Sequence, residues 1–137
     1  MKKNNLPRGY RNCNPLNIVK NKNTLQFEGV SKEQTDPLFL QFTSMKYGFR
    51  AAYLTLRQYY YIHNLRTIEK MINRWCPDGT AETYVSVVSQ RMHIDPDSDF
   101  VFSRENVIKL AVAMAFVENG YLLRGIMSDA IKGWDLF

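Results

Sequence analysis

Residues 103–120 read SRENVIKLAVAMAFVENG, and this stretch indicates the class of the fold. Apolar side chains recur in it every three or four positions, as expected for one buried face of an α-helix. The apolar face comprises Val107, Leu110, Ala111, Met114 and Ala115. Ser103 is a favoured helix-capping residue, and Gly120 is a typical helix terminator. The stretch therefore predicts a buried helix of a mainly α-helical protein.

Glu118 is the unusual residue of this helix. At about 100° per residue, Glu118 projects from nearly the same side as Val107 and Ala111. It also falls in the last turn, where the helix dipole presents partial negative charge. Burial and the dipole both raise the pKa of a carboxyl group, and a carboxyl that stays protonated can act as a general acid. The alternative is that Glu118 turns outward or pairs with Arg11, Arg124 or a lysine.

The rest of the chain predicts further helices and a small β-region. Helical spacing begins after Ser44, after Thr67 and after Thr80, and a short helix is expected over residues 126–132. Residues 16–20, 25–28 and 37–42 instead read as short extended pieces. We find no repeat or linker, so residues 1–137 are expected to form one domain. The predicted class is mainly α (α+β), with a small N-terminal β-region.

An asparagine-rich loop precedes this β-region. Residues 7–18, PRGYRNCNPLNI, bring Arg11, Asn12, Asn14 and Asn17 together around Pro15. Asn offers a donor and an acceptor, and Arg offers a fork of donors, so such a loop suits a ligand rich in hydroxyls and amides, such as a glycan. A purely structural turn, stabilised by local side-chain bonds, is the alternative.

Composition limits the partners. The net charge of +5 points to an anionic partner, such as the cell wall, a membrane surface or nucleic acid. The basic residues are scattered along the chain, which argues against specific nucleic-acid binding. No segment approaches the roughly 20 apolar residues of a membrane span, and no apolar signal-peptide core follows the basic start. We therefore expect synthesis in the cytoplasm without a signal peptide, and a monomer with reduced Cys13 and Cys76.

No cofactor or metal site is predicted. His63 and His93 lie far apart and lack a ligand pattern around them. Residues 95, 97 and 99 alternate as aspartates, but the glycine and the final glutamate of a calcium loop are missing. The chain also lacks a phosphate-binding glycine loop.

Several pieces of the chain resemble a family of small phage and prophage proteins. Residues 7–18 resemble the family signature Pro-Arg-Gly-x-Arg-Asn-x-Asn-Pro-x-Asn-Ile. Further similar pieces are YGFRA (47–51), INRWCP (72–77), TYV (83–85) and ENG (118–120). Cys13, Leu16, Cys76 and Val117 depart from the family pattern, which usually has Asn, Gly, Ala and His at these places.

The resemblance implies a virion or lysis-associated protein with a lysozyme-like fold of the lytic-transglycosylase type. In lysozyme-like enzymes the catalytic Glu usually comes first, then an Asn-rich region, then a helix with a Tyr-Val pair. Here the Glu comes last, so we expect a circularly permuted order that brings Glu118 beside Arg11, Asn12, Asn14 and Asn17. Tyr84 belongs to the Tyr-Val pair.

The resulting prediction is a peptidoglycan-binding domain that cleaves MurNAc–GlcNAc bonds. Glu118 is assigned as general acid and then base, and Asn12, Asn14, Asn17 and Tyr84 as glycan-binding residues. Arg11 would orient a carboxylate, Glu118 included. A second carboxylate would indicate hydrolysis, and Asp36 is the one candidate, although it fits a turn cap better. We therefore favour transglycosylation, which the resemblance implies.

Two alternatives belong to other functional classes. One is a non-catalytic virion or cell-wall-binding protein that contacts glycan strands or other virion proteins. The other, a DNA-binding factor, rests only on the positive charge and requires salt-sensitive binding to duplex DNA. In the favoured reading and in the first alternative, the protein is expected to act at the cell wall or within a virion.

Overall fold

The computed structural model describes residues 5–137, which form a mainly helical structure with six α-helices and almost no strands. The helices are α1 (Arg8–Arg11), α2 (Met45–Tyr61), α3 (Ile68–Trp75), α4 (Ala81–Met92), α5 (Arg104–Asn119) and α6 (Ile126–Leu136). The basic start of the chain, residues 1–4, lies outside the described residues. No helix among residues 5–137 is long and apolar enough to cross a membrane.

Helix α5 is the centre of the core. Nearly every residue from Val107 to Ala115 is buried, and α1, α2, α4 and α6 all pack against α5. Several alanines on α5 allow this close packing on all sides. Ser103 Oγ accepts a hydrogen bond from the Asn106 amide at 3.1 Å, and Gly120 ends the helix with a φ of 88°. This helix and both of its end signals follow the sequence prediction.

The other helix ends match the sequence only in part. Thr67 caps α3 through a bond from the Lys70 amide at 3.1 Å, as predicted. Thr80 precedes α4, but its hydroxyl donates to Asp78 at 2.7 Å instead of capping the helix. Helix α6 continues to Leu136, beyond the predicted end at residue 132.

The structure does not show the predicted N-terminal β-region as a set of strands. Within the described residues it is reduced to two isolated antiparallel bridges, Val19 with Phe39 and Val30 with Phe42. Residues 24–26 form a 3-10 helix where a strand was expected, because Asn21 Oδ1 accepts from the amides of Asn23 and Thr24. Side-chain amides thus take the backbone groups that a strand would have paired.

In the core, the side-chain amide of Asn14 also binds backbone groups that a strand would have paired. Its side chain has 0% exposure, donates to the carbonyls of Ile18 and Leu40, and accepts from the Ile18 amide. The segment after Pro15 is therefore joined to residue 40 through an amide side chain as well as through backbone bonds. The N-terminal segment is held as a compact irregular layer against the end of α5.

Candidate active site

The site is built around Glu118, in the last turn of α5. Asn17 Nδ2 donates to Glu118 Oε1 at 2.9 Å, and the Tyr84 hydroxyl donates to Glu118 Oε2 at 2.9 Å. Trp75, the last residue of α3, lies close enough to lower the pKa of the Glu118 carboxyl. We call Asn17, Trp75, Tyr84 and Glu118 the Glu118 cluster. Its members are distant in sequence and meet only because α3, α4 and the N-terminal loop converge on the end of α5.

Asn119 holds the loop in this place. Its side chain accepts from the Tyr10 amide at 3.2 Å and donates to the Pro15 carbonyl at 2.8 Å. Gly9 permits the approach, because a Cβ there would overlap Asn119 Oδ1. Asn17 has a φ of 53°, a left-handed conformation that Asn tolerates better than most residues. These features hold the Asn17 side chain against the Glu118 carboxyl.

The environment of Glu118 favours its protonated form. Burial raises the pKa of Glu118 above its ordinary value, and the negative charge of Asp78 adds to the rise. The hydrogen bonds from Asn17 and Tyr84, together with Trp75, act in the opposite direction but do not outweigh burial. Burial also raises the pKa of Tyr84 well above its ordinary value, so Tyr84 remains a neutral donor. The cluster therefore contains a half-buried carboxyl surrounded by neutral donors.

A cavity of about 200 Å³ adjoins the cluster through Asn17 and Trp75. The indole of Trp75 and the ring of Tyr59 meet edge to face, with centroids 6.1 Å apart. The rest of the lining consists of the polar residues Asn17, Asn21, Thr24 and Thr55 and the apolar residues Ile18 and Val19. Aromatic surface beside amides and hydroxyls is a suitable lining for a small polar ligand such as a sugar ring. A larger depression of about 900 Å³ is lined by α3 and the loop of residues 95–99 instead.

A second polar group lies at the other side of the loop and involves Asp36. Arg8 binds both carboxylate oxygens of Asp36 at 2.7 Å, and Asn12 Nδ2 donates to Asp36 Oδ2 at 3.0 Å. Asp36 Oδ1 also accepts from the amides of Leu38 and Phe39 at 2.8 Å. We call Arg8, Asn12 and Asp36 the Asp36 cluster. The hydrogen bond with Arg8 holds the pKa of Asp36 far below its usual range, so this carboxylate is a structural turn cap.

The structure separates the predicted site residues into two groups. Asn17, Tyr84 and Glu118 meet, whereas Asn12 belongs to the Asp36 cluster and is 4% exposed. Asn14 is wholly buried and uses its amide on the backbone, whereas its role in glycan binding stays a prediction. Arg11 lines a cavity of about 440 Å³ with Asn12 and Asp36, and its role in orienting a carboxylate or binding glycan stays a prediction.

Three residues of this region, Tyr59, Trp75 and Asp78, were not identified as candidate site residues from the sequence. Trp75 lies in a motif that was noted only for its resemblance, and Tyr59 was one of several tyrosines on a helix. Asp78 lies in a loop whose position depends on how α3 and α4 pack. Among residues 5–137, no group of three or more His, Cys, Asp or Glu side chains is arranged to hold a metal ion. Cys13 and Cys76 are not joined by a disulfide.

Comparison with known proteins places the chain among phage proteins. No protein-family model matches it. Over 120 residues it is 33% identical to Protein P5 of Pseudoalteromonas phage PM2, a match that covers 85% of this chain and 74% of the relative. The chain belongs to the family of this phage protein. The aligned length includes most of the described fold, so the relation extends well beyond a short motif.

Proposed function

We propose that this chain is a peptidoglycan-cleaving glycosidase of lysozyme-like type, a lytic transglycosylase or muramidase that acts on MurNAc–GlcNAc bonds. The observation that carries the proposal is the half-buried Glu118 carboxyl, whose pKa is raised and which lies next to a cavity lined by amides, hydroxyls and aromatic rings. Membership of a phage protein family supports action at the cell wall or within a virion, because phages must pass the peptidoglycan layer.

Glu118 would act as the general acid. Its proton passes to the glycosidic oxygen as the bond from the anomeric carbon to that oxygen breaks, and the bonding electron pair leaves with the oxygen. The Glu118 carboxylate that results then accepts a proton from the attacking hydroxyl. The attacking group is either water or the 6-hydroxyl of the same sugar, and each gives a distinct product.

The neighbouring side chains would position both the acid and the glycan. Asn17 contacts Glu118 and also lines the cavity, so its amide is suited to orient a sugar against the carboxyl. Trp75 and Tyr59 offer ring surface to the apolar face of a sugar. Tyr84, which is 5% exposed, would fix the Glu118 carboxyl rather than contact the glycan.

Glu118→Gln tests the assignment. Purified protein is incubated with peptidoglycan, and released fragments are identified by mass spectrometry. We expect the variant to lose about 100-fold or more of the cleavage rate, since general acid catalysis contributes this much. Glu105→Gln is the matched control, because Glu105 lies at the other end of α5 with its side chain 74% exposed. Equal activity of the wild type and Glu118→Gln would refute the role of Glu118.

The second candidate is a non-catalytic virion or cell-wall-binding protein. It is favoured by one observation, the Asp36 cluster and the buried Asn14, where polar residues of the loop serve the fold instead of a ligand. In this case the wild type sediments with cell walls and releases no fragments. Retained sedimentation by Glu118→Gln, without any cleavage by the wild type, would establish this reading.

A further inference from the structure

The cavity of about 440 Å³ lies on the Asp36 side of the N-terminal loop. Arg8, Arg11 and Asn12 line it from α1 and the end of that helix, and residues 35–37 and 41 line it from the segment before α2. None of these residues lines the cavity beside Glu118. The cavity is therefore a separate feature of the molecule, and the hydrogen bonds of its lining indicate what it can bind.

The acceptor atoms of this lining are already occupied. Asp36 Oδ1 accepts from Arg8 Nη2 and from two backbone amides, and Asp36 Oδ2 accepts from Arg8 Nε and Asn12 Nδ2. Gln41 Oε1 accepts from the amides of Thr35 and Asp36 and from the Thr35 hydroxyl. The side-chain oxygens of Asp36 and Gln41 therefore have little capacity left for the donors of a ligand.

The donors of the lining are occupied far less. A backbone amide can only donate, so the two amides fix Gln41 Oε1 towards residues 35 and 36 and leave Gln41 Nε2 on the other side of the group. Within residues 5–137, Gln41 Nε2 donates to no other group. Arg11 makes one long hydrogen bond, from Nη1 to the Leu6 carbonyl at 3.5 Å, which is weak for a guanidinium. Most of its N–H groups are thus available to a ligand.

The cavity also has an excess of positive charge. Arg8 and Asp36 neutralise each other through a bidentate ion pair at 2.7 Å. The ammonium group of Lys20 lies close by, since it donates to the Asp36 carbonyl. Neither Lys20 nor Arg11 has a carboxylate partner in the part of the chain that the structure describes. Available N–H donors and unneutralised cations favour an anion, and a guanidinium matches the two oxygens of a carboxylate.

We propose that this cavity binds a free carboxylate of the peptide stems that branch from the glycan strands of peptidoglycan. Arg11 binds the two carboxylate oxygens, and Gln41 Nε2 donates a further hydrogen bond. The inference rests on the proposed function only in that the ligand is peptidoglycan, so it applies to a cleaving and to a purely binding protein. It assigns the peptide to a cavity that contains no member of the Glu118 cluster.

Binding of a defined muropeptide tests the inference without cleavage. The probe is the disaccharide GlcNAc–MurNAc with its stem peptide, which lacks the MurNAc–GlcNAc bond, and it is titrated calorimetrically with its carboxylates free or converted to amides. We expect the wild type to bind the free form about 10-fold more tightly, as one charge-assisted contact provides. Arg11→Gln should abolish this preference. Arg124→Gln removes the same charge from an exposed loop position and should keep it.

Gln41→Glu is an independent second variant. It keeps the oxygen that Thr35 and Asp36 bind and replaces the Nε2 donor with an anionic oxygen, so it should also abolish the preference. The readout is a ratio of two affinities of one protein, and a general loss of structure lowers both affinities together.

Three results would overturn the carboxylate site. They are equal affinity of the wild type for the two forms, no binding of either form, and a preference that Arg11→Gln leaves unchanged. Each of them leaves the role of Glu118 in place, because that role is measured by cleavage. Conversely, a wild type that cleaves no peptidoglycan but prefers the free carboxylates would refute the glycosidase and support this site.

Discussion

The N-terminal segment contacts two carboxyl sites, the Asp36 cluster and the Glu118 cluster, which differ in the charge of their donors. Asp36 binds the guanidinium of Arg8 through both oxygens and also accepts two backbone amides. Glu118 receives hydrogen bonds from the neutral groups of Asn17 and Tyr84, and Trp75 also lowers its pKa. One carboxyl is firmly ionised and the other is shifted towards its neutral form.

The difference separates a structural carboxylate from one suited to proton transfer. A bidentate bond to a guanidinium stabilises the charged form strongly, so Asp36 has no proton to give near neutral pH. Neutral donors stabilise the charge less, so burial determines the pKa of Glu118. The burial of a carboxyl group therefore indicates the direction of its pKa shift only when the charge of its hydrogen-bond donors is also known.

Asp36→Ala should produce the largest loss of stability. It leaves the amides of Leu38 and Phe39 and the side chain of Asn12 without their acceptor, and we expect a cost of about 2–3 kcal/mol in urea unfolding. Because the pKa of Asp36 is lowered in the folded protein, its contribution is present above the unfolded pKa of about 4 and is lost as the pH falls. The gap between wild type and variant should thus narrow in acid. A gap that stays constant down to pH 2 would contradict the structural role.

For Glu118→Gln, the effect on stability should depend on pH in the opposite direction. The folded pKa of Glu118 is raised, so its contribution is fully present below the unfolded pKa of about 4 and is lost as the pH rises through the folded value. Thermal unfolding of wild type and variant should therefore differ more at pH 8 than at pH 4, with the variant gaining relative to the wild type. If the variant were more stable than the wild type at pH 4 but not at pH 8, the pKa of Glu118 would be lowered in the folded protein, as that of Asp36 is.

Tyr84→Phe should have the smallest effect. It removes one hydrogen bond that lowers the pKa of Glu118, so the pKa of Glu118 should rise further. Cleavage requires protonated Glu118, and the fall of activity at high pH should therefore move to higher pH in the variant. We expect a stability cost of about 1 kcal/mol from the lost bond. A shift of this limb to lower pH would show that Tyr84 does not stabilise the carboxylate.

Helices α2 to α6 could be predicted from the sequence, whereas α1 and the rest of the N-terminal segment could not. Helix α5 shows its apolar spacing and both end signals locally, so residues 103–120 were sufficient to locate it. Residues 16–20, 25–28 and 37–42 read as short extended pieces, but Asn14 and Asn21 bind the backbone groups that strands would pair. Local periodicity does not reveal such side-chain competition, because it depends on which backbone groups come within reach.

The candidate site, like the fold, could be predicted from the sequence only in part. The position of Glu118 on the apolar side of α5 was visible in the sequence, and so was its expected shift in pKa. The roles of Asn12 and Asn17 were not distinguishable, since both are asparagines of one loop. Asn119 fixes the loop so that Asn17 meets Glu118 while Asn12 meets Asp36.

By itself, the sequence determined a mainly helical protein with a carboxyl on the buried face of its central helix, because apolar spacing and helix-end residues act over a few positions. Only the tertiary structure decided which donors surround that carboxyl. Asn17, Trp75 and Tyr84 act on Glu118 from three parts of the chain, and their approach depends on how the helices and the loop pack. Since a pKa is set by burial and by neighbouring charges in space, the chemistry of the site is a property of the packed molecule.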